Sequence, residues 1–388
     1  MTGRDPSPLF APFTVNGLTL ANRIVMSPMG RNFAQDGVVP PAFADYFGRR
    51  AQGGVGLCIG EASAVGHPVA SSDAMHAAFH GEAALAAWKH VVDAVHAAGG
   101  HFMPQLWHVG LLRPPAGDHP DIPNAHLAPV GPSGWAEPLV HTFGWVNAIS
   151  QAARIGEPMT QAEIDAVIDA FAEAAVAARD MGCDGINIHG AHGYIIDQFF
   201  WQRMNRRDDG YGGDFVVRTR FAAELIGEVR RRVGTDFPII FRWSQWKQQD
   251  YHCRLTETPA ELERFLAPLA EAGVDLFDCS TRRFWEPEFA GSDLNLAGWA
   301  KKLTGKPTMT VGSVGLDREN WIDGEAFSLN DAGLASLDPL IERLERGEFD
   351  LIGVGRMLIA NPDWPELLRT GRTAEIRSYS NADLATLA

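Results

Sequence analysis

Residues 185–194 read Gly185-Ile186-Asn187-Ile188-His189-Gly190-Ala191-His192-Gly193-Tyr194. A short run rich in β-branched residues gives way to a glycine-punctuated turn, the pattern of a buried parallel strand followed by its loop. The C-terminal end of that strand carries two imidazoles and a phenol within one turn of chain. Two imidazoles can donate hydrogen bonds to one oxygen, and a nearby phenol can supply a proton. This is equipment for polarising a carbonyl while protonating its neighbour.

Working outward from this stretch, similar apolar runs recur along the chain, eight in all: Ile24–Met29, Gly54–Ala62, Phe102–Trp107, Gly185–His189, Pro238–Trp243, Leu276–Ser280, Thr308–Gly312 and Leu351–Gly355. Amphipathic stretches separate most of them. In 82–99, Leu85, Trp88, Val91, Val92 and Val95 fall on one face, and Gly99-Gly100 ends the helix. Thr160-Gln-Ala-Glu163 is a capping box opening a helix with Ile164, Val167, Ile168, Phe171 and Ala175 on its apolar face. Thr258-Pro-Ala-Glu261 opens another, with proline at the first helical position.

Strand–helix alternation repeated eight times predicts a parallel sheet, and eight units can close into a (β/α)8 TIM barrel. An open doubly wound sheet gives the same pattern, because pattern does not show closure. The expected organisation is one domain over 1–388, with the barrel at about 22–372 and a C-terminal tail at 373–388. Asn16-Gly17, within Leu9–Arg23, predicts an N-terminal hairpin that caps the lower mouth of the barrel. Two long loops are expected. Residues 108–158, after the third run, contain eight prolines, and residues 281–300, after the sixth, hold Phe284, Trp285, Phe289 and Trp299. Both leave from the C-terminal strand ends, the face on which barrels place their sites.

The 388 residues carry a formal net charge of −15, which disfavours nucleic acid and anionic membrane as partners. No apolar run is long enough to span a bilayer, and Met1–Pro8 lacks the basic-then-apolar signature of a secretory signal. Cys58, Cys183, Cys253 and Cys279 form no CxxC. The first, second and fourth of them lie among strand residues, where cysteine acts as a small buried hydrophobe, so a reduced cytoplasmic protein is the expectation.

Val311-Gly-Ser-Val-Gly315 and Gly353-Val-Gly-Arg356 follow the seventh and eighth runs. Barrels commonly bind phosphate at these two loops, where glycines let backbone N–H groups approach and Arg356 adds a charge-assisted contact. Glycines needed only for tight turns read the same way, and spacing does not separate a phosphorylated substrate from a phosphorylated cofactor. Arg242 and Gln105 alternate with apolar neighbours near strand ends. An inward arginine needs an anion, either a ligand or an ion-pair partner such as Glu61 or Asp278, and an inward glutamine can satisfy an amide edge. His189 and His192 as metal ligands would want matching carboxylates or thiolates. Asp197 is the obvious acidic neighbour and is expected beyond the strand end, so no metal is expected.

Taken together, these fragments resemble the Old Yellow Enzyme family of FMN-dependent ene-reductases, from about Leu9 to Leu368. The resemblance rests on Asn22-Arg-Ile-Val-Met-Ser-Pro-Met29, on Phe102-Met-Pro-Gln105-Leu-Trp-His108, and most of all on Gly185–Tyr194 continued by Asn205-Arg-Arg-Asp-Asp-Gly-Tyr-Gly-Gly213. It implies FMN as bound cofactor, NADH or NADPH as co-substrate and a small activated alkene as oxidant. Pro28, Met29, Gly30 and Ala62 would line the flavin, Gln105 would bond its pyrimidine edge, and Arg242 would sit by N1 and O2. Gly312, Ser313, Gly355 and Arg356 would hold the phosphate. His189 and His192 would bind the substrate carbonyl, with Tyr194 as proton donor. Barrels of this kind often pair, which leaves a homo-oligomer open.

The sequence departs from the family at Gly30, where many relatives carry Cys or Thr beside the flavin. The glycine either removes that contact or makes room for Arg31 or a bulkier substrate. Trp243 is expected in the core and Trp246 at the pocket edge. Phe284 and Trp285 are expected as substrate walls, although aromatics on a loop can equally be packing anchors. With no cysteine run after the barrel, an internal iron–sulfur relay is not expected. A flavin-dependent small-amine dehydrogenase or demethylase is the alternative activity.

Overall fold

The computed structural model describes residues 3–114, 116–117, 122–133, 157–318 and 331–388. The chain opens with a hairpin, β1 (Phe13–Val15) and β2 (Leu18–Leu20), paired antiparallel with Phe13 opposite Leu20. Asn16 and Gly17 both take positive φ, 42° and 81°, the two-residue turn whose twist matches the strands it joins.

Eight parallel strands follow: β3 (Ile24–Met26), β4 (Leu57–Ala64), β5 (Phe102–Trp107), β6 (Ile186–His189), β7 (Ile239–Trp243), β8 (Leu276–Ser280), β9 (Thr308–Val311) and β10 (Leu351–Val354). Each pairs with its sequence neighbour, and β10 returns to β3 with Ile352 opposite Ile24. That last pairing closes the barrel and excludes the open sheet. The connecting helices are α1 (Ala42–Gln52), α2 (Glu82–Ala97), α3 (Gln161–Met181), α4 (Ile195–Phe200), α5 (Arg220–Val233), α6 (Pro259–Ala272), α7 (Leu296–Thr304) and α8 (Asp338–Glu345), and α9 (Arg356–Ala360) and α10 (Trp364–Arg369) follow β10. Both expected capping boxes form reciprocally at the starts of α3 and α6. Among the described residues no helix is long and apolar enough to cross a membrane.

The interior is layered. Val15 and Leu20 of the hairpin pack with Val25, Leu57, Ile59, Met103, Ile240, Leu276, Met309 and Leu351, so the amino-terminal half of the barrel is filled with hydrocarbon and plugged from below. Two residues further along, the same inward faces turn polar: Met103 gives way to Gln105, Ile240 to Arg242 and Leu276 to Asp278. Register places Gln105 opposite Asn187, His189 opposite Arg242, and Arg242 opposite Asp278. This polar layer at the carboxyl end is the floor of the site.

Two loop expectations change. The loop after β8 ends sooner than residue 300, because Asn295 caps α7 by accepting from the Gly298 amide at 2.9 Å, so Trp299 is a helical residue. Of the loop expected over 108–158, residues 134–156 lie outside the described residues. The tail folds back onto the barrel: the Arg31 guanidinium donates to the carbonyls of Asp383, Leu384 and Thr386. The Arg31 guanidinium is thus turned toward the tail, and a Cβ added at Gly30 would lie 3.4 Å from Asn32 Oδ1.

Candidate active site

After His189 the chain reverses at once, because His192 and Gly193 both adopt left-handed φ, 65° and 81°. A Cβ at Gly193 would lie 1.8 Å from the Gln249 side chain, so only glycine permits this closeness. The reversal brings the His189 ring to 5.0 Å from that of His192 and 4.9 Å from that of Tyr194, both edge-on. His189 Nδ1 accepts from the Ala191 amide at 3.3 Å, which fixes the proton on Nε2 and makes that atom a donor. His192 Nε2 lies 2.9 Å from Ser280 Oγ, which also accepts from Arg242 Nη2 at 3.3 Å. One face of the His192 ring stacks on Trp246 at 4.4 Å, and Trp246 stacks in turn on Tyr251 at 5.1 Å.

Burial, reinforced by the Arg242 charge, holds both imidazoles well below their usual range, with His189 adding to the effect at His192. They are neutral donors and acceptors near neutral pH. Burial also pushes the Tyr194 phenol up, opposed by a hydrogen bond donated to its oxygen by Gln248 Nε2 at 2.8 Å. Asp197 does not face the imidazoles. It pairs with Lys247 at 2.7 Å, both side chains fully buried, and accepts from the Gly193 amide at 2.7 Å. Burial raises its carboxyl to about 6, against the pull of Lys247. Of the two carboxylates that could balance Arg242, Asp278 does so at 3.2 Å. Glu61 instead accepts from the Arg31 amide at 2.5 Å.

Two cavities open above this floor. One, of about 430 Å³, is lined by Pro28, Met29, Gly312, Ser313, Gly355 and Arg356 together with Trp246 and Gln248. The other, of about 620 Å³, is lined by Gly30, Glu61, Ala62, Gln105, His189 and Tyr194, with Trp107 and His76 as its aromatic walls. Pro28, His192 and Arg242 border both. The structure therefore brings to these two cavities every residue expected to bind cofactor or substrate except Phe284 and Trp285. Those two line a separate hollow of about 270 Å³ behind Ser313, with Leu316 and Pro339. Phe284 is buried there because its amide donates to Gly312 O and its carbonyl accepts from Asn295, which turns the loop away from the imidazoles. Trp243 is core, as expected, packed on Phe265. Gln248, Ser280 and Lys247 were not singled out, and Asp197 was weighed only as a metal ligand. The only signal of the first three is polar character at or just past the carboxyl ends of β7 and β8.

A closed parallel barrel whose carboxyl rim joins a glycine-lined cavity to a pocket of two imidazoles and a phenol places its cavities on the face where barrels of this class bind their ligands. Residues 8–375 match the NADH:flavin oxidoreductase / NADH oxidase family, and the chain belongs to it. It is 33% identical over 388 residues to an NADH oxidase of Thermoanaerobacter brockii, covering 98% of this chain but only 53% of that longer protein. It is 30% identical over 371 residues to 12-oxophytodienoate reductase 7 of Oryza sativa subsp. japonica, covering 94% of this chain and 88% of the relative. Among solved structures it resembles morphinone reductase in complex with tetrahydroNAD, at TM-score 0.74 and 25% identity, covering 97% of this chain and 93% of the other.

The residues present fit FMN. Arg242 Nε and Ser27 Oγ are buried without a hydrogen-bond partner, one at the junction of the two cavities and the other on the wall of the smaller. At Gly312, whose φ is 154°, a Cβ would meet Thr281 Oγ1 at 2.6 Å, so this turn on the wall of the smaller cavity requires glycine. Glycine turns beside Arg356 on one cavity wall suit a phosphate, and an unspent guanidinium N–H suits an electron-rich ring edge.

Proposed function

We propose that this protein reduces the C=C bond of α,β-unsaturated carbonyl or nitro compounds, using hydride equivalents from NADH or NADPH in a ping-pong cycle. The observation that carries this reading is the His189–His192–Tyr194 cluster beside the cradle, with His189 held as an Nε2–H donor. FMN, when bound, supplies the hydride chemistry.

The protein's own groups do the rest. Gly312, Ser313, Gly355 and Arg356 would hold the phosphate, Gln105 and Arg242 the polar edge of the ring, and Pro28, Met29, Gly30 and Ala62 its flank. His189 donates to the substrate oxygen, joined by His192 when Ser280 donates to its Nε2 and leaves the proton on Nδ1. Neutral imidazoles in a buried site stabilise developing negative charge by on the order of 3 kcal/mol per donor. Tyr194 delivers a proton to the α-carbon, a contribution of roughly 10²–10⁴-fold. Trp107 and His76, rather than Phe284 and Trp285, wall the substrate.

The test is spectroscopic. Purified protein loaded with FMN should bleach anaerobically with NADH or NADPH and recolour on adding 2-cyclohexenone. Bleaching by an N-methyl amine with no response to the enone would replace this reading with a small-amine dehydrogenase.

A further inference from the structure

The segment Lys247-Gln248-Gln249 grips the turn that carries the catalytic candidates. The Gln248 amide donates to His192 O at 3.3 Å, and the Gln249 side chain donates to Gly193 O at 2.8 Å. Lys247 holds Asp197, which accepts from the Gly193 amide. Gln248 Nε2 then reaches the Tyr194 hydroxyl at 2.8 Å. Three consecutive side chains from the loop after β7 therefore hold one turn after β6, and the middle one touches the phenol oxygen.

We propose that Gln248 is a positioning residue for proton delivery by Tyr194, an assignment that rests on the role given to Tyr194 above. A phenol oxygen that accepts from an amide keeps its own proton free for another partner, and the free direction opens into the cavity with His189, whose ring lies 4.9 Å from that of Tyr194. On transfer the Tyr194 O–H bond breaks and a C–H bond forms at the α-carbon. The bonding pair stays on oxygen as phenolate, and a water proton later restores the phenol. The hydride delivered to the β-carbon completes the two-electron reduction. The Gln248 N–H is a donor that does not titrate, and it strengthens as charge grows on the oxygen it faces. Among the described residues the phenol ring meets His189 of its own strand end and, edge-on at 5.1 Å, Trp107 of β5, and its oxygen meets Gln248; none of these three brings a negative charge, while Glu61, Asp73, His76 and Arg242 line the same cavity.

The experiment uses FMN-loaded protein reduced with dithionite and mixed anaerobically with 2-cyclohexenone, following recovery of flavin absorbance. Gln248→Met keeps length and loses the donor, whereas Gln248→Glu keeps shape and offers only an acceptor. Loss of a hydrogen bond to a developing charge predicts a limiting rate lower by about ten- to a hundredfold in both variants, with the half-saturating enone concentration little changed. In a Tyr194→Phe background the same substitutions should add nothing. A slowing by Gln248→Met that persists at equal size without the Tyr194 hydroxyl, or no slowing in its presence, overturns the proposal. If Tyr194→Phe alone fails to slow reoxidation, the role of Tyr194 itself falls and takes this assignment with it. The single Tyr194 variant thus separates the two failures.

Discussion

The Arg242 guanidinium stands 3.2 Å from the Asp278 carboxylate of the adjacent strand, with both side chains buried in the upper layer of the barrel. Register makes the pair, since the two residues are direct partners between β7 and β8. Burial pushes the Asp278 carboxyl up while Arg242 pulls it down, so the carboxylate depends on its partner to stay charged. The other side of the guanidinium borders both cavities, and the pair therefore presents one half-neutralised cation to the site.

Truncating one member should expose that dependence. Asp278→Ala leaves Arg242 buried without its anion, and the expected loss of folding stability is about 3–5 kcal/mol in urea titrations. A loss below about 1 kcal/mol would show that solvent, and not Asp278, balances the guanidinium.

Glu61 gives a pH dependence of definite sign. Burial raises its carboxyl to about 7 from the usual 4.5, although the Arg31 and Asn32 amides oppose the shift. Between those values the folded protein holds a proton that the unfolded chain has released, so stability falls as pH rises through this window and stays lower above it. The expected decrease is on the order of 3 kcal/mol from about pH 4.5 to about pH 7. Glu61→Gln should flatten the profile of urea midpoint against pH. An unchanged slope would mean that the carboxyl is ionised throughout.

Much of this architecture was legible because local rules and global fold agree. Asn16-Gly17, the two Thr-x-x-Glu boxes and the eight apolar runs each specify their element without long-range information. The His189–Tyr194 cluster was equally readable, since six consecutive residues carry it. What failed to show was contact across distance. Gln248 meets Tyr194 over 54 residues, and Ser280 meets His192 over 88. Nothing in a polar residue past a strand end says which neighbour it will face. Phe284 and Trp285 misled for the same reason, because an aromatic on a loop reads alike whether it walls a pocket or anchors the loop. Only the hydrogen bonds that fix the loop's course distinguish the two.

The stack on His192 predicts a graded effect. Trp246 covers one imidazole face at 4.4 Å and is itself fixed by an Nε1 donation to Ser280 O at 3.2 Å. Aromatic stacking of this kind is worth about 0.5–1.5 kcal/mol, so Trp246→Leu should lower kcat/KM for enone reduction about two- to tenfold. Trp246→Phe should recover most of the loss. Equal losses in the two variants would indicate that the indole N–H, and not the ring face, is what matters.

The cradle supplies the sharpest test of cofactor placement. Gly312 sits at φ 154° with its Cα facing the loop after β8, so that an added methyl would lie 2.6 Å from Thr281 Oγ1 and 2.9 Å from the backbone of Arg282 and Arg283. That loop cannot yield freely: the Thr281 amide donates to Val311 O at 2.8 Å, and Ser313 Oγ donates to Arg282 O at 2.9 Å. Gly312→Ala must therefore displace the turn itself, at a cost of about 1–3 kcal/mol. If this turn holds the FMN phosphate, part of that cost appears in binding. The dissociation constant, measured by quenching of flavin fluorescence on the deflavinated protein, should then rise about tenfold or more. A variant that loses stability yet binds FMN with unchanged affinity would place the phosphate elsewhere on the rim.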